Sequence, residues 1–118
     1  MDELKKYPNI NWDKCYGADI SAGWYTIISQ LTHAISHYCE KENITVDVLQ
    51  IKEKFGSLRY YVSINSDNHK DFTAINTLIM YAEWLSESAC IDCGNSAKIE
   101  NHNGWYVPVC DNCNKNVK

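Results

Sequence analysis

The sequence predicts an α+β fold in which two amphipathic helices pack on a small antiparallel β-hairpin sheet, followed by a C-terminal four-cysteine zinc ribbon or truncated treble clef. Three observations predict it. Apolar residues recur at intervals of three and four in two segments, they alternate with polar residues in the stretch between, and the last part of the chain carries two Cys-x-x-Cys pairs. At 118 residues and 45% hydrophobic composition the chain is long enough for one compact core and too short for two independent ones. The expected organisation is one domain over 1–118, with an N-terminal arm (1–20), a helix-hairpin-helix core (21–88) and a zinc-binding module (89–118).

Residues 1–20 show no sustained period, and Tyr7-Pro8-Asn9-Ile10-Asn11-Trp12 is aromatic and turn-prone, so an extended arm across the core is expected, anchored by Trp12 and Tyr16. From about Ala18 to Glu42 the pattern is helical. At about 100° per residue, Trp24, Ile27, Ile28, Leu31, Ala34, Ile35, Tyr38 and Cys39 share one arc, with Thr26, Ser29, Gln30, His33, His37 and Glu40 opposite. Asp19 or Ser21 is the expected N-cap, and Glu42-Asn43 the end. His33 and His37 have a chelating spacing but no His-Glu-x-x-His context, so they read as exposed histidines, while Cys39 reads as a buried thiol.

The β-branched run Thr45 to Lys54 and the alternation of Leu58, Tyr60, Val62 and Ile64 with Arg59, Tyr61 and Ser63 predict a hairpin that turns at Phe55-Gly56-Ser57. Gly56 supplies a positive φ there, and Phe55 and Leu58 are expected to pin the turn to the core. Asn65-Ser66-Asp67-Asn68 closes the strand and can cap the next helix, over 70–88, whose apolar positions are Phe72, Ile75, Leu78, Ile79, Ala82 and Leu85. Both helices are expected on one face of the hairpin, with the zinc hairpin extending the sheet or capping its edge.

Cys90, Cys93, Cys110 and Cys113 form the expected metal site, the two pairs standing sixteen residues apart. Two residues between cysteines let a tight turn aim both sulfurs at one ion, which makes Zn the expected cofactor. Lys98-Ile99-Glu100 and Trp105-Tyr106-Val107 are expected strands joined through Asn101-His102-Asn103-Gly104, with a second knuckle at Cys110-Asp111-Asn112-Cys113. Disulfides are the alternative. The charged opening Met1-Asp2-Glu3-Leu4-Lys5-Lys6 and the lack of an apolar run near the roughly 18 residues of a membrane span lead us to expect a cytoplasmic protein without a membrane partner, where such pairs hold metal.

Charge constrains partners. Eleven basic residues against fifteen acidic ones give a net −4, which disfavours nucleic acid, and Arg59 is the sole arginine. The local exception is Lys52, Lys54 and Arg59 around the hairpin turn, readable either as a solvated strand face or as a contact patch for a carboxylate or phosphate. An enzyme is not expected. Four cysteine ligands leave no position for water, Pro108-Val109-Cys110 breaks the deaminase pattern, and His102 is the only histidine between the pairs.

The string Val48-Leu49-Gln50-Ile51-Lys52-Glu53-Lys54-Phe55-Gly56-Ser57-Leu58-Arg59-Tyr60-Tyr61-Val62 resembles the Val-Lys-Glu-Lys-Phe-Gly-Gly-Leu-Arg-Phe-Tyr signature of a family of small proteins of tailed phages and prophages. The likeness extends to Gly23-Trp24, to Ala82-Glu83 with Ser86, and to the paired-cysteine tail after Gly104-Trp105, over about residues 15–113. Ser57 stands where a second glycine is usual, and residues 13–23 make a longer lead-in than the family's. The resemblance implies a genetic setting, the cytoplasm of a bacterial host cell, and no mechanism. With eight tyrosines and four tryptophans on an acidic body, it leads us to expect an accessory protein that binds and modulates or inhibits a bacterial host protein, such as a defence-system component. Lys52, Lys54, Phe55, Arg59, Trp105 and Tyr106 are the candidate partner-binding residues. The alternative is a nucleic-acid-binding zinc ribbon that uses the basic turn with Trp105 and Tyr106 as a stacking platform.

Overall fold

A computed structural model describes residues 3–114, so the expected arm and zinc module extend past the described span by residues 1–2 and 115–118. The chain runs through a 3-10 turn (Leu4–Lys6), β1 (Ile10–Asn11), a second 3-10 turn (Ala22–Trp24), α1 (Tyr25–Glu42), β2 (Thr45–Lys54), β3 (Ser57–Asn65), α2 (His69–Ser86), β4 (Ile99–His102), β5 (Trp105–Pro108) and α3 (Asp111–Asn114). The fold is α+β, with one sheet ordered β1-β2-β3 and a second formed by β4 and β5.

The β2-β3 pair organises the core. Ile51 opposite Tyr60, Val48 opposite Val62 and Val46 opposite Ile64 share one face, and Val46, Val48, Ile51, Leu58 and Tyr60 are buried. Buried apolar positions in β2 switch from even to odd between Val48 and Ile51, and a register shift between Val48 and Gln50 absorbs the change. An extra residue at that point restores the inward phase, which strict alternation would have lost. The opposite face is polar, with Lys52 directly across from Arg59 and Gln50 across from Tyr61.

The N-terminal arm does more than lie across the core. β1 adds a third, parallel strand, pairing Ile10 with Val46 and Asn11 with Asp47. Farther along, Tyr16 N–H donates to the Leu49 carbonyl, Ile51 N–H to Gly17 and Asp19 N–H to Ile51, so residues 16–19 continue to cover the β2 edge. That pairing explains two corrections. The first helix begins at Tyr25 rather than near Ala18, because Ala18 is bridged to Ile51, and no side chain caps the helix start. Trp12 is half-buried against the core as expected, whereas Tyr16 is 73% exposed and anchors nothing.

α1 buries Ile28, Leu31, Ile35 and Cys39, and also Thr32 and Ser36, which no apolar pattern marks. Their hydroxyls have partners. Thr32 Oγ1 donates to the Ile28 carbonyl at 2.8 Å and lies 2.7 Å from Tyr60 Oη, and Ser36 Oγ donates to Asn9 Oδ1 at 2.8 Å. The helix ends at Asn43, whose φ of 56° is left-handed, as the Glu42-Asn43 stop predicted. His33 and His37 are exposed, with Tyr7 Oη 3.1 Å from His33 Nδ1.

α2 starts at the Asn68 cap, whose Oδ1 accepts the Lys70 N–H at 3.0 Å. Ile75, Ile79 and Ala82 are buried as expected, while Leu85 is 44% exposed. At its C-terminal end, Ser86 Oγ accepts Leu58 N–H (2.9 Å) and Glu83 Oε2 accepts Tyr60 N–H (3.2 Å). These side chains satisfy the outer edge of β3 where another strand would otherwise pair.

Two buried carboxylates tie the layers together. Asp47 accepts Asn11 Nδ2 at 2.8 Å and Asn65 Nδ2 at 3.1 Å with Lys14 Nζ at 3.7 Å, and Asp71 accepts Tyr38 Oη and Ser66 Oγ, each at 2.6 Å. Burial raises the Asp47 pKa, yet the amide donors and Lys14 outweigh it and hold the carboxyl below its ordinary value. Asp71 is lowered first by the Ser66 hydroxyl and then by Tyr38. Groups depressed in the folded state contribute stability above the unfolded value of about 3.9 and lose it as pH falls through the folded values. The difference in urea midpoint between wild type and Asp71→Asn should therefore hold steady from neutrality to about pH 4 and shrink below it; a difference that does not shrink in acid would contradict the assignment.

Candidate metal centre

The turn Cys90-Ile91-Asp92-Cys93 closes with Gly94 N–H donating to the Cys90 carbonyl at 2.8 Å, and Gly94 adopts φ 85°, as the knuckle reading required. The second pair differs from expectation. Cys110 and Cys113 lie on the helical turn around α3, with Asn114 N–H donating to the Cys110 carbonyl at 2.8 Å, and not on a second knuckle. Knuckle, hairpin and helical turn follow in treble-clef order. Between the pairs, β4 and β5 turn through Asn103-Gly104, so the strands match those expected from sequence to within a residue or two.

All four sulfurs lie within 4.8 Å of one another, and among the described residues no histidine or carboxylate joins them. Cys93 Sγ and Cys110 Sγ are 3.5 Å apart, far beyond a disulfide bond, and all six thiols are free. A tetrahedral ion with metal–sulfur bonds of about 2.3 Å needs sulfurs about 3.8 Å apart, so the cluster fits a single metal ion with modest adjustment.

The electrostatics fit the same conclusion. Burial pushes the Cys90 thiol up, but backbone N–H groups of Cys110, Cys93 and Asp92 directed at its sulfur prevail and bring it to about 6. Cys113 is pushed up by the sulfurs of Cys110 and Cys93; Cys93, despite the Asn95 N–H, also ends above its ordinary value through burial and the Cys110 and Cys90 sulfurs. Four sulfurs this close cannot all ionise unaided, and a bound dication removes the conflict.

The module is built into the core rather than tethered to it. Gly23 N–H donates to the Ile91 carbonyl at 2.9 Å, Ile91 N–H to Pro108 at 2.8 Å, and Trp24 Nε1 to Ala89 at 3.0 Å. A Cβ on Gly23 would stand 2.0 Å from the Cys90 carbonyl oxygen and 2.7 Å from Gly94 N, both main chain, so only glycine fits. A second junction lies at the β2-β3 turn. Glu53 accepts Gly56 N–H through Oε2 (2.8 Å) and Trp105 Nε1 through Oε1 (3.1 Å), while a Cβ on Gly56 would stand 2.7 Å from the Tyr106 carbonyl oxygen. The cysteine hairpin thus neither extends the sheet nor caps its edge; it packs against the hairpin tip.

This packing brings together several of the residues singled out from sequence. Phe55, Trp105 and Tyr106 are exposed at this tip, and Lys54 Nζ lies 5.9 Å from the Phe55 ring centroid. Phe55 does not pin the turn to the core. It occupies the first position of a two-residue turn at φ 53°, followed by Gly56 at 86°, and is 76% exposed; Leu58 alone is the buried anchor. Lys52 lies on the outer sheet face, and Arg59 is half-buried, donating from Nη1 to Ser57 Oγ (2.9 Å) and the Leu58 carbonyl (3.1 Å). Cys39 is buried and its thiol is pushed up to about 11, by burial and then by Asp71, while Cys15 is half-buried. Exposed Met80, Tyr81 and Trp84 on α2 were not anticipated, although their departure from the three-and-four pattern was visible in the sequence.

The chain is thus an α+β protein carrying a cluster of four cysteines that could hold a metal ion, docked on the tip of a β-hairpin. Compared with known protein families, curated proteins and solved structures, it matches none. Among the described residues, no helix is long and apolar enough to cross a membrane.

Gly23→Ala should destabilise the protein by about 3 kcal/mol or more, because main chain on both sides must move; a urea midpoint within error of wild type would refute the close approach. Thiol titration of metal-loaded protein should detect Cys15 readily and Cys39 only on unfolding, with Cys90, Cys93, Cys110 and Cys113 released by a chelator; free reaction of the four before chelation would count against ligation.

Proposed function

We propose that the four cysteines hold zinc and that the protein is a phage-type accessory protein whose metal-stapled tip binds a bacterial host protein in the host cytoplasm and modulates or inhibits it, a defence-system component being the type of target. Four thiolates in tetrahedral array favour zinc or an iron–sulfur centre, and zinc is the redox-inert choice for a structural site. Its binding, worth on the order of 10 kcal/mol, would rival the stability of the whole domain. With four protein ligands the ion has no open position, and on this reading the protein carries out no catalysis.

Phe55 carries the proposal. Asparagine, aspartate or glycine would occupy its left-handed position more easily, and a bulky side chain there is strained. Its ring is solvent-exposed, so core packing does not repay the strain. A contact with another molecule does, and Lys54 beside the ring with Trp105 and Tyr106 exposed on the hairpin packed against the same turn supplies the aromatic and cationic groups that dominate interface energetics. The likeness of the surrounding string to phage and prophage proteins supports the host setting.

The second reading, a nucleic-acid-binding zinc module, is favoured by one observation: Lys52 faces Arg59 directly across the sheet, with no ion pair to either among the described residues. The net charge of −4 opposes it.

Affinity capture from bacterial lysate, with and without nuclease, separates the two. We expect about one equivalent of zinc in the purified protein and a captured host protein that survives nuclease. Phe55→Asn should keep or slightly raise thermal stability while weakening capture about tenfold or more; recovery of nucleic acid alone would overturn the proposal.

A further inference from the structure

Along most of their length the two helices present no charge to solvent; Glu40 and Lys41 close α1, Lys70 opens α2 and Glu87 caps it. No Asp, Glu, Lys or Arg occurs between Tyr25 and Cys39 in α1, or between Phe72 and Ala82 in α2, although 22% of the chain is charged. Solvated helix faces ordinarily carry charges. Here the exposed positions are Thr26, Gln30, His33 and His37 on α1 and Thr73, Asn76, Thr77, Met80 and Tyr81 on α2, and Trp84 follows at 69% exposure. The nearest carboxylate in α2 is turned away, since Glu83 is committed to the Tyr60 N–H.

This face also has relief. Thr77, Tyr81 and Trp84 fall at i, i+4 and i+7, forming one ridge along α2, with Met80 beside it. Next to the ridge, between the helices, runs an apolar groove of about 160 Å³ lined by Ile27, Leu31, Ala34, Leu78, Tyr81 and Leu85 among others.

We propose that a second copy of this chain docks here, the Tyr81–Trp84 ridge of each protomer entering the α1-α2 groove of the other about a two-fold axis. An isologous interface needs a projection and its receptacle on the same patch, and this face holds both. Charge selects the occupant. A chain of net −4 repels its own copy, and the charge-free middle of this face is where two copies approach with the least penalty. An acidic or basic partner, by contrast, finds no matching charge on it. Area points the same way: Met80, Tyr81, Trp84 and Leu85 are 61%, 58%, 69% and 44% exposed, and with the groove walls and polar rim they add towards the about 800 Å² per partner of a standard interface. The surface lies on the two helices, whereas Phe55 lies on the β2-β3 turn.

Sedimentation velocity on the zinc-loaded full chain tests this over a concentration series. Wild type should sediment at twice its 13.6 kDa mass. Trp84→Glu should raise the dimer dissociation constant about thirtyfold or more, and Gln30→Lys, on the facing helix, should weaken it independently. Both sites are exposed, so thermal melting of the monomeric variants should show a folded protein. A wild type that stays monomeric at the highest attainable concentration overturns the proposal, as does a dimer that neither variant weakens. Loss of a captured foreign protein on Trp84→Glu, with wild type monomeric, would also overturn it and assign the face to that protein.

Discussion

The main-chain junction between Gly23 and the first cysteine turn sets the geometry of the rest of the molecule. Gly23 N–H meets the Ile91 carbonyl, Ile91 N–H meets Pro108, and the Trp24 indole reaches Ala89, so the start of α1, the knuckle and the end of β5 share one short ladder. The approach is closer than any side chain allows. Because Trp24 is also fully buried in the helix-sheet core, that core and the sulfur cluster cannot shift independently. The Glu53 bridge to Gly56 and Trp105 fixes the same module at a second point. Two attachments turn a small four-cysteine hairpin into part of one body.

The sequence made the local elements legible because each has a physical period or stop. The three-and-four pattern located both helices, alternation located the hairpin, and paired cysteines located the sulfur cluster. Long-range pairing was not legible. β1 has two residues and no alternation to read, and its identity comes from β2, thirty-odd residues away in sequence. Thr32 and Ser36 look like solvent positions in any pattern of apolarity, and only their partners, Tyr60 and Asn9, place them inside.

Phe55 shows the same limit from the other side. An aromatic residue next to a turn glycine suggests an anchor, but turn geometry outranks hydrophobicity here: the two-residue connection directs its ring outward. Arg59 shows how a charged residue near a conspicuous turn can be structural, since part of its guanidinium is spent bracing Ser57 and Leu58. For the cysteines, spacing sufficed to pair them, whereas the helical form of the second pair depended on where β5 delivers the chain.

The parallel seam between the N-terminal segment and β2 carries a consequence for how the molecule is made. β1 precedes β2 in the chain with all of α1 between them, so the β2 edge is covered only once α1 and β2 have both been made. Residues 10–19 form a latch over a strand edge that would otherwise recruit strands from other molecules. Asp47 sits under that latch, held by Asn11 and Lys14 from the same segment. Solubility is thereby entrusted to a segment outside the two helices and their hairpin.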